Sequence, residues 1–220
     1  MKRTGIAAVT VGITLALVAT GCGGGGDGGG NAVPNNSYLP MQVGNSWDYV
    51  LTLAPGLVPV QEGSNQLFDY HETITGIANL DGADYFLFRS VRDETDQYPE
   101  RVWQQIRRET DEAIYARVGN PAYDLPVLML PPRQGETWPD PFFEEVTLTT
   151  AAVGEQVTVP AGTFNCVRVE QTYEVPLEGG DVVVETTKQW FARGVGLVKD
   201  ETWDDDILTT RTELTDYTVQ

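Results

Sequence analysis

The stretch Ser46-Trp47-Asp48-Tyr49-Val50-Leu51-Thr52-Leu53 sets Trp47, Tyr49, Leu51 and Leu53 at every second position. A period of two is that of a β-strand with one face on a core. Just upstream, Tyr38-Leu39-Pro40-Met41-Gln42-Val43-Gly44-Asn45 carries the proline and glycine of a turn. A folded domain is therefore predicted to begin at Tyr38 and to enter its first strand at about Trp47.

The same reading continues down the chain. Candidate strands run from Phe68 to Ile77, Asp84 to Val91, Arg101 to Arg108 and Ala113 to Val118, with turn clusters such as Asn79-Leu80-Asp81-Gly82 and Glu109-Thr110-Asp111-Glu112 between them. A proline-rich passage, Asn120 to Pro132, interrupts the pattern. It resumes over Glu144 to Ala151, Glu155 to Val159, Phe164 to Val175, Asp181 to Ala192, Leu197 to Trp203 and Ile207 to Val219. No long amphipathic helix pattern occurs. The expected fold is all-β: an antiparallel meander forming a curved sheet, half-barrel or barrel, with few or no helices. Leu39-Pro40-Met41-Gln42-Val43-Gly44-Asn45-Ser46-Trp47 is echoed by Leu130-Pro131-Pro132-Arg133-Gln134-Gly135-Glu136-Thr137-Trp138. The echo reads either as two similar halves or as one loop solution used twice.

The first residues have the anatomy of an export signal. Lys2 and Arg3 precede an uncharged apolar run, Gly5 to Val18, too short to span a bilayer comfortably. Ala19-Thr20-Gly21 before Cys22 resembles a lipobox, with Ala19 where Leu or Val is usual. Residues 1–21 are read as a lipoprotein signal and Cys22 as the lipid-bearing first residue of the mature chain; the alternative is an ordinary secretory signal with a chance cysteine. Residues 22–37, with seven glycines between positions 23 and 30, are read as a tether, and 38–220 as one β domain. Gly23 after the cysteine, in place of Asp, points to outer-membrane sorting.

Charge and cysteine count narrow the partners. Lys2 and Arg3 are two of the 14 basic residues and none of the 32 acidic ones precedes Cys22, so the mature chain sets 12 against 32, a net −20. Such a charge repels phosphate backbones and gives no polybasic grip on anionic lipid, so no nucleic-acid partner is expected and membrane attachment falls to the acyl chains on Cys22. With Cys22 acylated, Cys166 has no partner in the chain. Stability must then come from a core, for which five Trp, nine Tyr and seven Phe are ample material.

Two segments carry a family resemblance. Val157-Thr158-Val159-Pro160-Ala161-Gly162-Thr163-Phe164, leading into a strand, and Trp190-Phe191-Ala192-Arg193-Gly194-Val195-Gly196, joining two, look like segments of uncharacterised bacterial envelope lipoproteins. The resemblance implies a fold distantly similar to the lipoprotein-carrier (LolA/LolB-like) half-barrels. Its residues are turn glycines and core aromatics, so no functional residue transfers with it.

Candidate chemistry is sparse. There is no nucleophile elbow, phosphate loop or zinc-protease helix, and no cofactor is expected. His71, the only histidine, falls opposite Phe68, Tyr70 and Ile74 in the alternation and is read as a solvent-side residue; a Cys166–His71 catalytic pair has no local signature. Asp204-Asp205-Asp206, following Asp200 and Glu201, reads as a solvated hairpin turn or, alternatively, as hard-oxygen ligands for calcium. Arg101-Val102-Trp103-Gln104-Gln105-Ile106-Arg107-Arg108 is a basic island whose alternation sets Arg101, Trp103, Gln105 and Arg107 on one face. That face reads as a cradle for an anionic headgroup, or as cross-strand pairing with acidic neighbours.

Several strands are apolar on both faces, as with Tyr85 and Leu87 against Phe86 and Phe88. Each face must cover something. The expectation is a non-enzymatic envelope lipoprotein whose concave face holds an apolar pocket for a hydrophobic or amphipathic ligand, with Trp103 in the wall and Arg101 and Arg107 at the mouth. The alternative is a structural or protein-interaction module of the envelope whose aromatics simply fill the core.

Overall fold

The computed structural model describes residues 36–54, 66–95, 98–119, 122–141, 146–176 and 182–220. The signal segment, Cys22 and nearly all of the tether lie outside the described residues, as do Glu144 and Glu145. Twelve strands follow in chain order: β1 (Ser46–Leu53), β2 (Gln66–Leu80), β3 (Ala83–Arg92), β4 (Arg101–Glu109), β5 (Ala113–Val118), β6 (Tyr123–Met129), β7 (Thr137–Pro139), β8 (Thr147–Val159), β9 (Gly162–Pro176), β10 (Val182–Ala192), β11 (Gly196–Asp204) and β12 (Ile207–Thr218). There is no helix among the described residues.

All twelve strands form one antiparallel sheet in the order β6-β5-β4-β3-β2-β1-β12-β11-β10-β9-β8-β7. The first and last strands pair in the middle, and the two edges, β6 and β7, are consecutive in the chain. The sheet is therefore a meander bent toward a barrel and left open along one seam. Register slips in β1, β3-facing β2, β8, β10 and β12-facing β11 mark bulges, which bend a strand and raise its twist, and so curve the sheet.

Two segments depart from the sequence reading. The proline-rich passage contains β6, in which Pro126 interrupts the pattern. A proline has no N–H to give to a ladder and is tolerated here because β6 is an edge. From Thr147 on, the first of the two predicted strands around Gly154 runs into the second, Glu155 to Val159, as one strand, β8, which bulges between Val153 and Glu155 where Gly154 has φ 84. The bend carries the β8–β9 hairpin over one end of the sheet, where Val157 and Val159 are buried and the Ala161 N–H donates to the Leu214 carbonyl at 3.0 Å.

That end is closed. Ser37 to Asn45 crosses it with Tyr38, Leu39 and Met41 buried, and Asn45, fully buried, donates to the Pro40 carbonyl and accepts from the Gln220 N–H. Trp47 is also fully buried, stacked on Phe88 with centroids 6.1 Å apart, and its indole N–H donates to the Val195 carbonyl at 2.5 Å. Each large apolar side chain so buried contributes about 1.5–3 kcal/mol. The backbone passes Trp47 at Gly196, which has φ 111; a Cβ there would lie 3.2 Å from the Trp47 indole nitrogen and 3.4 Å from Leu39 Cδ1.

Gly196 and Gly154 separate two costs. At Gly154 an added Cβ meets only Asn165 Oδ1, at 3.6 Å. Gly154→Ala should therefore lose only the left-handed backbone cost, about 1–2 kcal/mol. Gly196→Ala should lose that and about 1–3 kcal/mol more from overpacking against Trp47 and Leu39. Urea titration of both variants checks the order; equal losses would mean that Trp47 and Leu39 give way freely.

Candidate functional site

Register fixes which side chains share the concave face with Trp47 and Tyr49. One row across the sheet is Trp47, Glu72, Ser90 and Trp103; the next, toward the opposite end, is Tyr49, Tyr70, Arg92 and Arg101. On the other side of β1, Asp200 of β11 pairs with Thr212 and with Gln189, putting both on this face. The concave face is thus divided. Toward the closed end it is apolar and packed, with Ile74, Phe88, Ile114, Leu128, Trp138, Leu148, Val198 and Leu214 in one cluster. Toward the open end it is aromatic and polar.

The division turns on a small residue. Ser90 lies on β3 between Tyr70 of β2 and Trp103 of β4, and its short side chain lets the two rings meet above it at 5.3 Å and 4°. Tyr49 extends the row, stacked on Tyr70 at 5.2 Å. Beneath the rings sits Glu72, 3% exposed. It accepts from the Tyr70 hydroxyl at 2.9 Å, the Ser90 hydroxyl at 3.0 Å and Arg107 Nη1 at 3.1 Å. Every donor a buried carboxylate needs is present. Burial pushes the Tyr49 and Tyr70 hydroxyls well up, and the Glu72 charge adds to the effect.

The basic island is not one unit. Arg107 stands inside, ion-paired to Glu72 and with its guanidinium 4.5 Å from the Phe88 ring centroid, rather than at a mouth; Gln105 accepts a further bond from it. Arg101 is exposed at the open end, and Trp103 is half-buried. Four indole N–H groups have protein acceptors: Trp47 on Val195, Trp138 on the Pro126 carbonyl, Trp190 on Glu155 and Trp203 on Glu201. Among the described residues the Trp103 N–H has none.

Other candidates are kept apart. His71 is on the convex face, bonded to Asp48 Oδ1 and the Thr73 hydroxyl, five strand positions from Cys166 on β9. Asp205 uses one carboxylate oxygen to accept the Val184 N–H at 3.0 Å, a turn-closing role. Among the described residues no three His, Cys, Asp or Glu side chains converge as a metal site. A depression of about 380 Å³ lies at the closed end against Tyr38, Phe164, Cys166 and Arg193, and one of about 260 Å³ on the convex side around Asp48, Asp69 and His71. Neither is walled by Trp103, Arg101 or Arg107.

With this geometry in view, the chain can be set beside known proteins. The family model described as DUF3108-like matches residues 150–214, from the middle of β8 to β12. Two solved structures share the fold: a candidate exported protein with a YmcC-like fold from Bacteroides fragilis, and a candidate lipoprotein from Parabacteroides distasonis. Each is 13% identical over 83% of this chain and 99% of its own, with a TM-score of 0.57. No curated protein matches the sequence. The likeness is one of fold.

Sequence reading passed over Glu72, Ser90 and Arg92, and took Asp200 only with the acidic turn that follows it. Glu72 had a signal in strand parity, since it neighbours His71, which reads as solvent-side. Asp200 had none beyond parity in β11.

Two outcomes follow from this chemistry. Burial, partly offset by the bond from Gln189 and reinforced by Glu201, pushes the Asp200 carboxyl up to about 6. A folded-state pKa above the unfolded value of about 3.9 means that the folded protein binds the extra proton between the two, so this group's cost to stability grows as pH rises from about 4 to about 6 and is constant above. Asp200→Asn should be more stable than the parent at pH 7.5, on the order of 1–3 kcal/mol. The advantage should shrink to near zero by about pH 4, as followed by urea midpoints. Cys166, 1% exposed and with its thiol pushed up to about 12 by burial and by Glu155, should react with a polar thiol reagent slowly when native and rapidly in denaturant.

Proposed function

We propose that this chain is a non-enzymatic cell-envelope lipoprotein, held to the membrane by lipid on Cys22, whose concave face binds a hydrophobic or amphipathic ligand at its open half. The observation that carries the reading is the Tyr49–Tyr70–Trp103 ring row. It begins at Tyr49 in the packed core, continues through Tyr70 against that core, and ends in the one indole whose N–H has no acceptor among the described residues. A half-buried aromatic left with a free donor in a concave face is typical of a binding surface. The exported and lipoprotein character given to the two fold relatives supports the envelope setting. The export signal and Gly23 favour the outer membrane.

One observation favours a second reading. The apolar part of the concave face is filled by its own side chains, Trp47, Phe88, Ile114 and Leu128 among them at 0% exposure, which suits an interaction module of the envelope without a small ligand. Native mass spectrometry of gently purified protein lacking its acyl anchor, with displacement of a lipid dye, separates the two. Ligand binding predicts a co-purified mass or dye uptake that Trp103→Ala abolishes. Absence of both, with Trp103→Ala changing only stability, would leave the interaction module.

A further inference from the structure

We infer that the ligand of this concave face carries an anionic head, a carboxylate or phosphate, taken up by Arg92 and Arg101 together with the Trp103 indole N–H. The inference rests on the ligand-binding reading above and assigns the chemistry of its polar end.

Arg92 and Arg101 stand directly opposite one another on β3 and β4. Their Cβ atoms are then about 4.5–5.5 Å apart, and like charges so placed are destabilising. The chain has 32 acidic residues against 14 basic ones, so carboxylates are not scarce. Arg107, Arg108, Arg117, Arg168, Arg211 and Lys199 each have a carboxylate within 4 Å. Arg92 and Arg101 have none among the described residues, and neither do Arg89, Arg133, Lys188 and Arg193, but only Arg92 and Arg101 are set opposite one another.

Arg92 is also fixed in place. Its guanidinium lies 4.8 Å from the Phe68 ring centroid and 5.9 Å from that of Tyr98, and Nη2 donates to the Pro99 carbonyl at 3.0 Å. Its Nε is buried with no partner. A buried donor without an acceptor is costly unless something else supplies one. Trp103 is two residues from Arg101 on the same face of β4, and Arg92 faces Arg101 across the β3–β4 pair, so a free indole N–H and two guanidinium groups without a carboxylate share this part of the face. An acceptor with negative charge makes the strongest bonds with all three. Arg107 takes no part, because Glu72 already neutralises it.

The test uses the mature chain with Cys22→Ser, so that no acyl group of its own competes. Four eight-carbon probes differ only in the head: octanoate, octyl phosphate, octylamine and 1-octanol. Acetate and inorganic phosphate supply the heads without a tail. Calorimetric titration at low salt should give the two tailed anions a Kd about ten-fold or more below that of 1-octanol, with octylamine weakest. Arg101→Gln, at an exposed position where folding is spared, should remove most of that preference, and Trp103→Phe, which keeps a ring but not the N–H, a few-fold of it. Acetate and phosphate binding as tightly as the tailed anions would support the clamp and discard an amphipathic ligand. Equal affinity for all four tails, unchanged by Arg101→Gln, would overturn the clamp and leave the binding face standing. No binding by any probe overturns both.

Discussion

The pairing of β1 with β12 is the constraint on which the rest depends. It joins the first strand of the domain to the last across eight register pairs, and it makes a twelve-strand meander continuous through its own termini. Contacts of the highest sequence separation are thus among the central ones, and loop-closure entropy has to be met before they form. The molecule secures this junction densely. Asn45 binds the chain before β1 to the second residue after β12, Trp47 anchors to Val195 before β11, and Tyr49 donates to the Leu197 carbonyl. These ties run from β1 to the carboxy-terminal half, so the half matched by the DUF3108-like model is completed by strands outside the match.

The second organising feature is the buried carboxylate of Glu72. Replacing a buried ion pair by well-packed apolar residues is often neutral or stabilising, so the Glu72–Arg107 pair is weak evidence for stability in itself. Its effect is on shape. With Glu72 satisfied from below, the Tyr70 ring is tied down over Ser90, where it meets Trp103 almost parallel. An apolar residue at position 72 could fill space, but could not orient the Tyr70 hydroxyl. The charge is a positioning device for the ring row, and the row forms the face on which a ligand would lie.

Most of the fold was legible because alternation is a local signal. β1, β3, β4, β5 and the long carboxy-terminal strands are read directly from period-two apolar residues and the turns between them. The rest failed for physical reasons. Pro126 argues against a strand unless the strand is an edge, and strand order is not written locally; β7 is only three residues long. Gly154 looks like a break when it is a bulge inside β8. At the site, Trp103 and Arg101 were legible as sharing a face, but the identity of their neighbours was not. Arg107 pairs with Glu72 from β2 across β3, and Arg92 falls just past the predicted end of its strand at Val91, so the arginine opposite Arg101 stayed out of view. The echo between residues 39–47 and 130–138 gains a meaning in the structure. The two copies open β1 and β7, the first strands of two six-strand halves, and each delivers a buried tryptophan whose N–H binds a backbone carbonyl.

An open seam asks why the sheet neither closes nor recruits another chain. Unpaired edge strands template further pairing, and proteins blunt them with shortness, proline or charge. Here one edge is β6, interrupted by Pro126, and the other is β7, ended by Pro139; the Trp138 indole spans the seam to the Pro126 carbonyl at 2.8 Å. A side chain thus occupies an acceptor that a ladder would use. Closure by collapse is opposed on the concave face. Were its open half as apolar as its closed half, bringing the walls together would gain about 25 cal/mol for each Å² buried. With Arg92, Arg101 and Gln189 on that face, collapse would instead have to desolvate charges and an amide, at several kcal/mol for each unpaired ion. Polarity on the concave face is therefore what opposes its collapse.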